Sequence, residues 1–201
     1  MIEMTDNQIE TLIKFEGFAR FMCDEISESL LTQASFLPAL GLFTYIEIVG
    51  SFITGQFKKD QHGNIIKDQK GQNIITSSKD RFNAFFKLLG PQYQILIDSG
   101  LNVYDELRCG LVHEYLPKSK LFAIESYDKA EKPEETKMDI CGAYHTNENG
   151  KDVWYIVNCV LLRDFKKAIC KSINEVKSNK NKILNINFFE RAEYINFNNF
   201  G

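Results

Sequence analysis

The residues able to do chemistry crowd into one stretch, Tyr104 to Pro117. There Arg108, Cys109 and His113 stand among the carboxylates Asp105, Glu106 and Glu114 within ten residues. Histidine exchanges a proton near neutral pH, and a guanidinium offers forked donors to an oxyanion. The stretch reads as a helix that Asp98 or Ser99 caps and Pro117 stops. Val103, Leu107 and Leu111 follow at i, i+4 and i+8 and give an apolar stripe. Asp105, Cys109 and His113 share the same spacing and give a polar one. In a regular helix Arg108 and His113 point roughly 140° apart, and the long arginine stem can bring its head towards the imidazole.

Several chemistries fit these residue types. Arg108 can pair with Asp105 three residues earlier, leaving His113 as a satisfied interface histidine. Cys109 and His113, one turn apart, can be read as a thiol nucleophile and its base. Glu47, inside an otherwise apolar segment, is either an edge carboxylate that pairs with an arginine or a carboxylate facing the Arg108 site. No glycine-rich phosphate loop and no Gly-x-Ser-x-Gly is present, so kinase-like and serine-hydrolase readings lack support.

Arg108 and His113, four residues between them and set in Leu-Arg-Cys-Gly-Leu-Val-His-Glu-Tyr, resemble the motif of HEPN domains. These are all-helical domains, many of them metal-independent endoribonucleases. The resemblance covers the chain to about Pro117. It implies that His113 moves a proton of the RNA 2′-hydroxyl and that Arg108 stabilises the phosphorane charge, leaving a 2′,3′-cyclic phosphate. It casts Asp105, Cys109, Glu114, Tyr115 and Glu47 as supporting residues. It implies an RNA substrate, a homodimer with the motif near the two-fold axis, no cofactor, and a toxin or defence role in which an antitoxin or other regulatory protein restrains the enzyme. The alternative is a catalytically inactive HEPN-like interaction or nucleotide-binding module. The position after the arginine, commonly Asn, Asp or His in that family, is Cys109 here.

Gly110 bears on the same question. A mid-helix glycine costs about 1 kcal/mol against alanine, so a close backbone approach, such as a partner helix, is expected there.

Size and charge bound the rest. A chain of 201 residues with 44% apolar side chains can bury a real core in a single domain. A formal net charge of −3 argues against a sticky, non-specific nucleic-acid binder. Five scattered cysteines with no Cys-x-x-Cys pair argue against zinc and against a disulfide framework, and fit a reducing cytoplasm. No uninterrupted apolar run of 18 residues stands out, and Met1 to Asp6 lacks a basic leader. Neither a membrane span nor a signal peptide is therefore expected.

The fold expected is mainly α: a HEPN-like helical bundle with a small antiparallel β appendage. Apolar periodicity predicts helices over 6–31 (with a possible break near Cys23), 36–56, 79–89, 100–116 and 161–178, plus a short helix or turn over 93–97. Residues 1–117 would be the core and 118–158 a β region with strands over 121–127, 138–145 and 153–158. Asn149-Gly150 marks a hairpin, and 159–201 would be a helix and an aromatic tail packed on the body or on a partner. Inserted at 58–78 is an imperfect repeat, Asp60-Gln61-His62-Gly63-Asn64-Ile65-Ile66 against Asp68-Gln69-Lys70-Gly71-Gln72-Asn73-Ile74-Ile75, read as a hairpin or mobile loop. His62 and His145 are expected to be solvated. Lys166, Lys167, Lys171 and Lys177 form the outer face of the 161–178 helix.

Overall fold

The computed structural model describes residues 4–31, 36–114, 116–118, 120–125, 142–148 and 150–197. Helix α1 (Asp6–Leu30) begins at Thr5, whose hydroxyl accepts from Gln8 N while the Gln8 side chain returns to Thr5 N. The helix thus starts at residue 6, as the periodicity predicts, with the reciprocal cap one residue before it. The helix passes Cys23 without a break.

Helix α2 (Phe36–Thr54) is the hub, and α1, α3 (Ser78–Leu88), α6 (Asn158–Ser178) and α7 (Lys182–Tyr194) pack around it. By length and composition it is apolar enough to cross a membrane, contrary to the expectation from uninterrupted runs. Its Ala39, Leu42, Phe43, Ile46, Val49 and Phe52 are buried here, which a core helix requires as much as a membrane helix does. Phe15, Phe52 and Phe188 join α1, α2 and α7, with Phe15 ring centroids 4.6 Å from Phe52 and 4.9 Å from Phe188. Such tilted and edge-on pairs add to the gain from area burial.

Gly50 sets how close α3 comes to α2. A Cβ there would lie 2.0 Å from the Arg81 carbonyl oxygen, so only glycine fits. Helix α4 (Pro91–Asp98) takes Pro91 in its first turn and buries Tyr93 and Leu96. A π-helical turn (Tyr104–Cys109) follows and runs into the short α5 (Gly110–Glu114).

The three strands are β1 (Phe122–Glu125), β2 (Ala143–Glu148) and β3 (Lys151–Val157), in the order β1-β3-β2. β2 and β3 form the predicted hairpin, closed at Glu148 opposite Lys151, and Gly150 takes φ +79° in the turn. β1, however, runs parallel to β3, so the sheet is mixed and not antiparallel. The long connection from β1 to β2 lets β1 reach the far edge of β3, where parallel pairing is possible. The predicted strand start at 138–141 and residues 126–127 lie outside the described residues. The sheet is fastened to the helices by Asp164 of α6. Its Oδ2 accepts from the Tyr93 hydroxyl at 2.9 Å and from Gly142 N at 3.3 Å.

The aromatic tail is mostly helix: α7 opens at Asn181, whose side chain accepts from Leu184 N, and buries Leu184, Phe188 and Ala192. The inserted segment pairs antiparallel across each glycine turn, Lys59 with Ile65 and Lys67 with Asn73, in keeping with the hairpin expectation, and it also closes on itself. Ile66 N donates to Lys58 O (2.8 Å), Lys58 N to Ile74 O (2.8 Å) and Ile74 N to Ile66 O (3.0 Å), a closed triangle of backbone bonds. The two turns between these corners are built on Asp60 and Asp68, each accepting two backbone N–H groups on one carboxylate oxygen. The bond from Asn64 N, the largest of several, holds the Asp60 carboxyl below the usual carboxylate range. Lys59, almost fully buried, ties the segment to Asn187 (2.9 Å) and Glu190 of α7. His62 and His145 are both exposed, as expected.

Candidate active site

The helix carrying Arg108 is not the continuous one that the spacing predicts. Asp98 closes α4 and Ser99 is its C-cap, so neither starts the next helix. Gly110 N reaches back five residues to Asp105 O as well as to Leu107 O, which widens the turn. π turns of this kind recur at functional sites. The widening sets Asp105 in register with Gly110 instead of Cys109, so Asp105, Cys109 and His113 do not form one polar line. Val103, Leu107 and Leu111 are fully buried as predicted.

Arg108 meets Glu47 of α2, its Nε 2.7 Å from Glu47 Oε2. The pair is a charge contact more than an aligned hydrogen bond, since neither atom satisfies hydrogen-bond geometry. Its side chains are only 20% and 16% exposed. The guanidinium carbon lies 5.8 Å from the centre of the Tyr104 ring, a cation–π distance. Tyr104 packs edge-on against Phe82. Burial first, and then the Glu47 charge, push the Tyr104 hydroxyl above its ordinary value. Tyr104 opens the motif stretch, but nothing in its spacing assigns it to the back of Arg108.

Of the predicted site residues, the structure brings together Arg108 and Glu47. Asp105 bonds the Asn102 side chain, not Arg108. Cys109 is a half-buried free thiol. Glu114 and His113 are exposed at the end of α5, and Tyr115 lies outside the described residues. Among the described residues no hydrogen bond or ion pair joins His113 to Arg108 or to Cys109. No group of three potential metal-binding side chains is found among them either.

Gly110 does meet a close backbone approach, from within the chain. A Cβ would lie 2.7 Å from Leu116 O and 3.0 Å from Lys118 N, and Lys118 N donates to Glu106 O at 3.0 Å. The segment after α5 folds back over the glycine. The close approach expected at Gly110 is thus met within a single copy, and Leu107 and Leu111 are likewise buried within it.

Comparison of the chain with protein-family models, curated proteins and solved structures finds no match. The likeness to HEPN domains rests on the motif residues alone.

Proposed function

We propose that the Arg108–His113 segment is the active centre of a HEPN-like endoribonuclease that cuts RNA without a metal, leaving a 2′,3′-cyclic phosphate. The observation that carries this reading is the setting of Arg108. A carboxylate from another helix holds its Nε, a ring backs it, and a histidine follows five residues later at an exposed position. The terminal nitrogens of Arg108 are then the donors for a phosphorane oxygen. His113, open to solvent, moves the 2′-hydroxyl proton, and Glu47 fixes the arginine head. A second copy facing this end of the molecule would complete the cleft, and Val112 and Leu116, both exposed, are the apolar surface for it.

The second reading, an inactive interaction or nucleotide-binding module, is favoured by one observation: Arg108 already has its counter-charge in Glu47. Cleavage of single-stranded RNA in EDTA separates the two. His113→Ala is expected to lose of order 10²-fold in rate, as for loss of a general acid–base, with unchanged circular dichroism because the side chain is exposed. Cys109→Ala is expected to have a modest effect, whereas a thiol nucleophile demands complete loss. Absence of cutting by the dimeric wild type removes the nuclease reading.

A further inference from the structure

The polar face of α2 does not end at Glu47. Ser51 follows one turn later on the same face. Arg191 of α7 donates Nε to Ser51 Oγ at 3.0 Å and Nη1 to Gln56 Oε1 at 2.6 Å. Arg81, from the first turns of α3, donates Nη2 to the same Gln56 oxygen at 3.3 Å. Gln56 is 3% exposed, and both arginines are half-buried. Two guanidiniums therefore converge on one neutral amide oxygen.

The surrounding acids are committed elsewhere. Glu47 faces Arg108, Asp80 lies 2.8 Å from Lys58, and Glu190 pairs with Lys59. Among the described residues no ion pair reaches Arg81 or Arg191. These three acids are paired with other cations, so Arg81 and Arg191 are left without a carboxylate partner among the described residues; Arg191 has only the Tyr194 ring, its guanidinium carbon 5.6 Å from the ring centre. Burial, and next the like charge of Arg81, push the Arg191 guanidinium below its ordinary value. Arg81 Nε is buried with no acceptor. Partly desolvated cations without a counter-charge are unfavourable, and an anion with several acceptor oxygens relieves both the charge and the idle donors.

We propose that Arg81 and Arg191 form a binding site for a terminal phosphate, the dianion of a phosphate monoester or of inorganic phosphate. A carboxylate or an internal phosphodiester carries one negative charge and would balance only one of the two arginines. A terminal phosphate carries close to two, and its three free oxygens suit two guanidinium forks. Gln56 holds the forks apart and in register, and the Ser51 hydroxyl fixes Arg191. The site stands independently of cleavage at Arg108.

The test is calorimetric titration of the full chain with inorganic phosphate, a nucleoside 5′-monophosphate, and one oligoribonucleotide with and without a 5′-phosphate, at matched chloride. Saturable binding of the phosphate monoesters is expected, weakening below about pH 6 as the dianion is lost. Phosphate and monophosphate binding alike marks a free-phosphate site. Preference for the phosphorylated oligonucleotide marks an RNA end. Arg81→Gln, which gives up one long hydrogen bond, is expected to bind roughly ten- to a hundred-fold more weakly. Arg191→Lys, which keeps the charge and loses the fork, is also expected to weaken binding. His113→Ala should bind as wild type does, which separates this site from the cleavage centre. No saturable binding by any of the four ligands, equal binding of the two oligonucleotides without binding of monophosphate, or an unaffected Arg81→Gln would overturn the proposal.

Discussion

Glu47 and Gln56 do the same geometrical job with opposite electrostatic results. Each receives arginine from a neighbouring element, Glu47 at 2.7 Å and Gln56 at 2.6 and 3.3 Å. Arg108 therefore sits in a balanced pair that the fold can use as a clamp, whereas Arg81 and Arg191 sit in one that the fold leaves positive. Two unit charges a few ångströms apart near a protein surface repel by of order 3 kcal/mol. The comparison separates an arginine that helps to hold the structure from arginines that the structure holds ready.

The largest expected effect removes the shared support of both regions. Gly50→Ala would place a methyl group against the backbone of Arg81, which cannot turn aside, and so must part α3 from α2. A loss of about 3 kcal/mol is expected in urea denaturation, with the Arg81 site displaced. Next is Glu47→Gln, which makes the first region electrostatically like the second. It should cost about 2 kcal/mol, below the roughly 3–5 kcal/mol of breaking a fully buried ion pair because both side chains touch solvent. Inorganic phosphate should then recover part of the loss of melting temperature. The smallest effect is that of Arg81→Gln on stability. Lost hydrogen bonding and relieved repulsion oppose one another, so a change under about 1 kcal/mol in either direction is expected. A loss of 2 kcal/mol or more would show that the two regions are not electrostatically different.

The helices were legible because their apolar residues keep a helical period and the core is built from them. Val103, Leu107 and Leu111 are one instance, Phe82, Phe85 and Phe86 another. α7 was not legible as a helix because its apolar residues are dispersed among asparagines and lie on more than one face. Only Asn181 hints at the start. The direction of β1 was hidden by its distance in sequence from β3, since pairing between remote strands leaves no local pattern. The π turn has no sequence signature, and it rearranges the polar residues that regular spacing aligned. Arg108 stands out by its motif and Glu47 by its apolar surroundings, and the structure joins them. Arg81 and Arg191 come from distant helices with no motif between them. Gly50 is a mid-helix glycine like Gly110 and hints at a close approach to α2, but only the structure shows that the approaching backbone is that of Arg81.

The triangle of bonds among Lys58, Ile66 and Ile74 has a consequence for how this segment can change over time. At these three positions donor and acceptor are both used inside the ring, so this layer offers no vacant ladder position to a strand from another molecule. Its corners recur every eight residues, at 58, 66 and 74. An insertion or deletion of one or two residues within a turn would put a corner out of phase and leave an N–H and a carbonyl unmatched. Length variants that keep the ring are therefore confined to changes absorbed wholly inside a turn. Loss of a whole octad would not shorten the triangle; it would leave two corners that can face only each other, an ordinary hairpin.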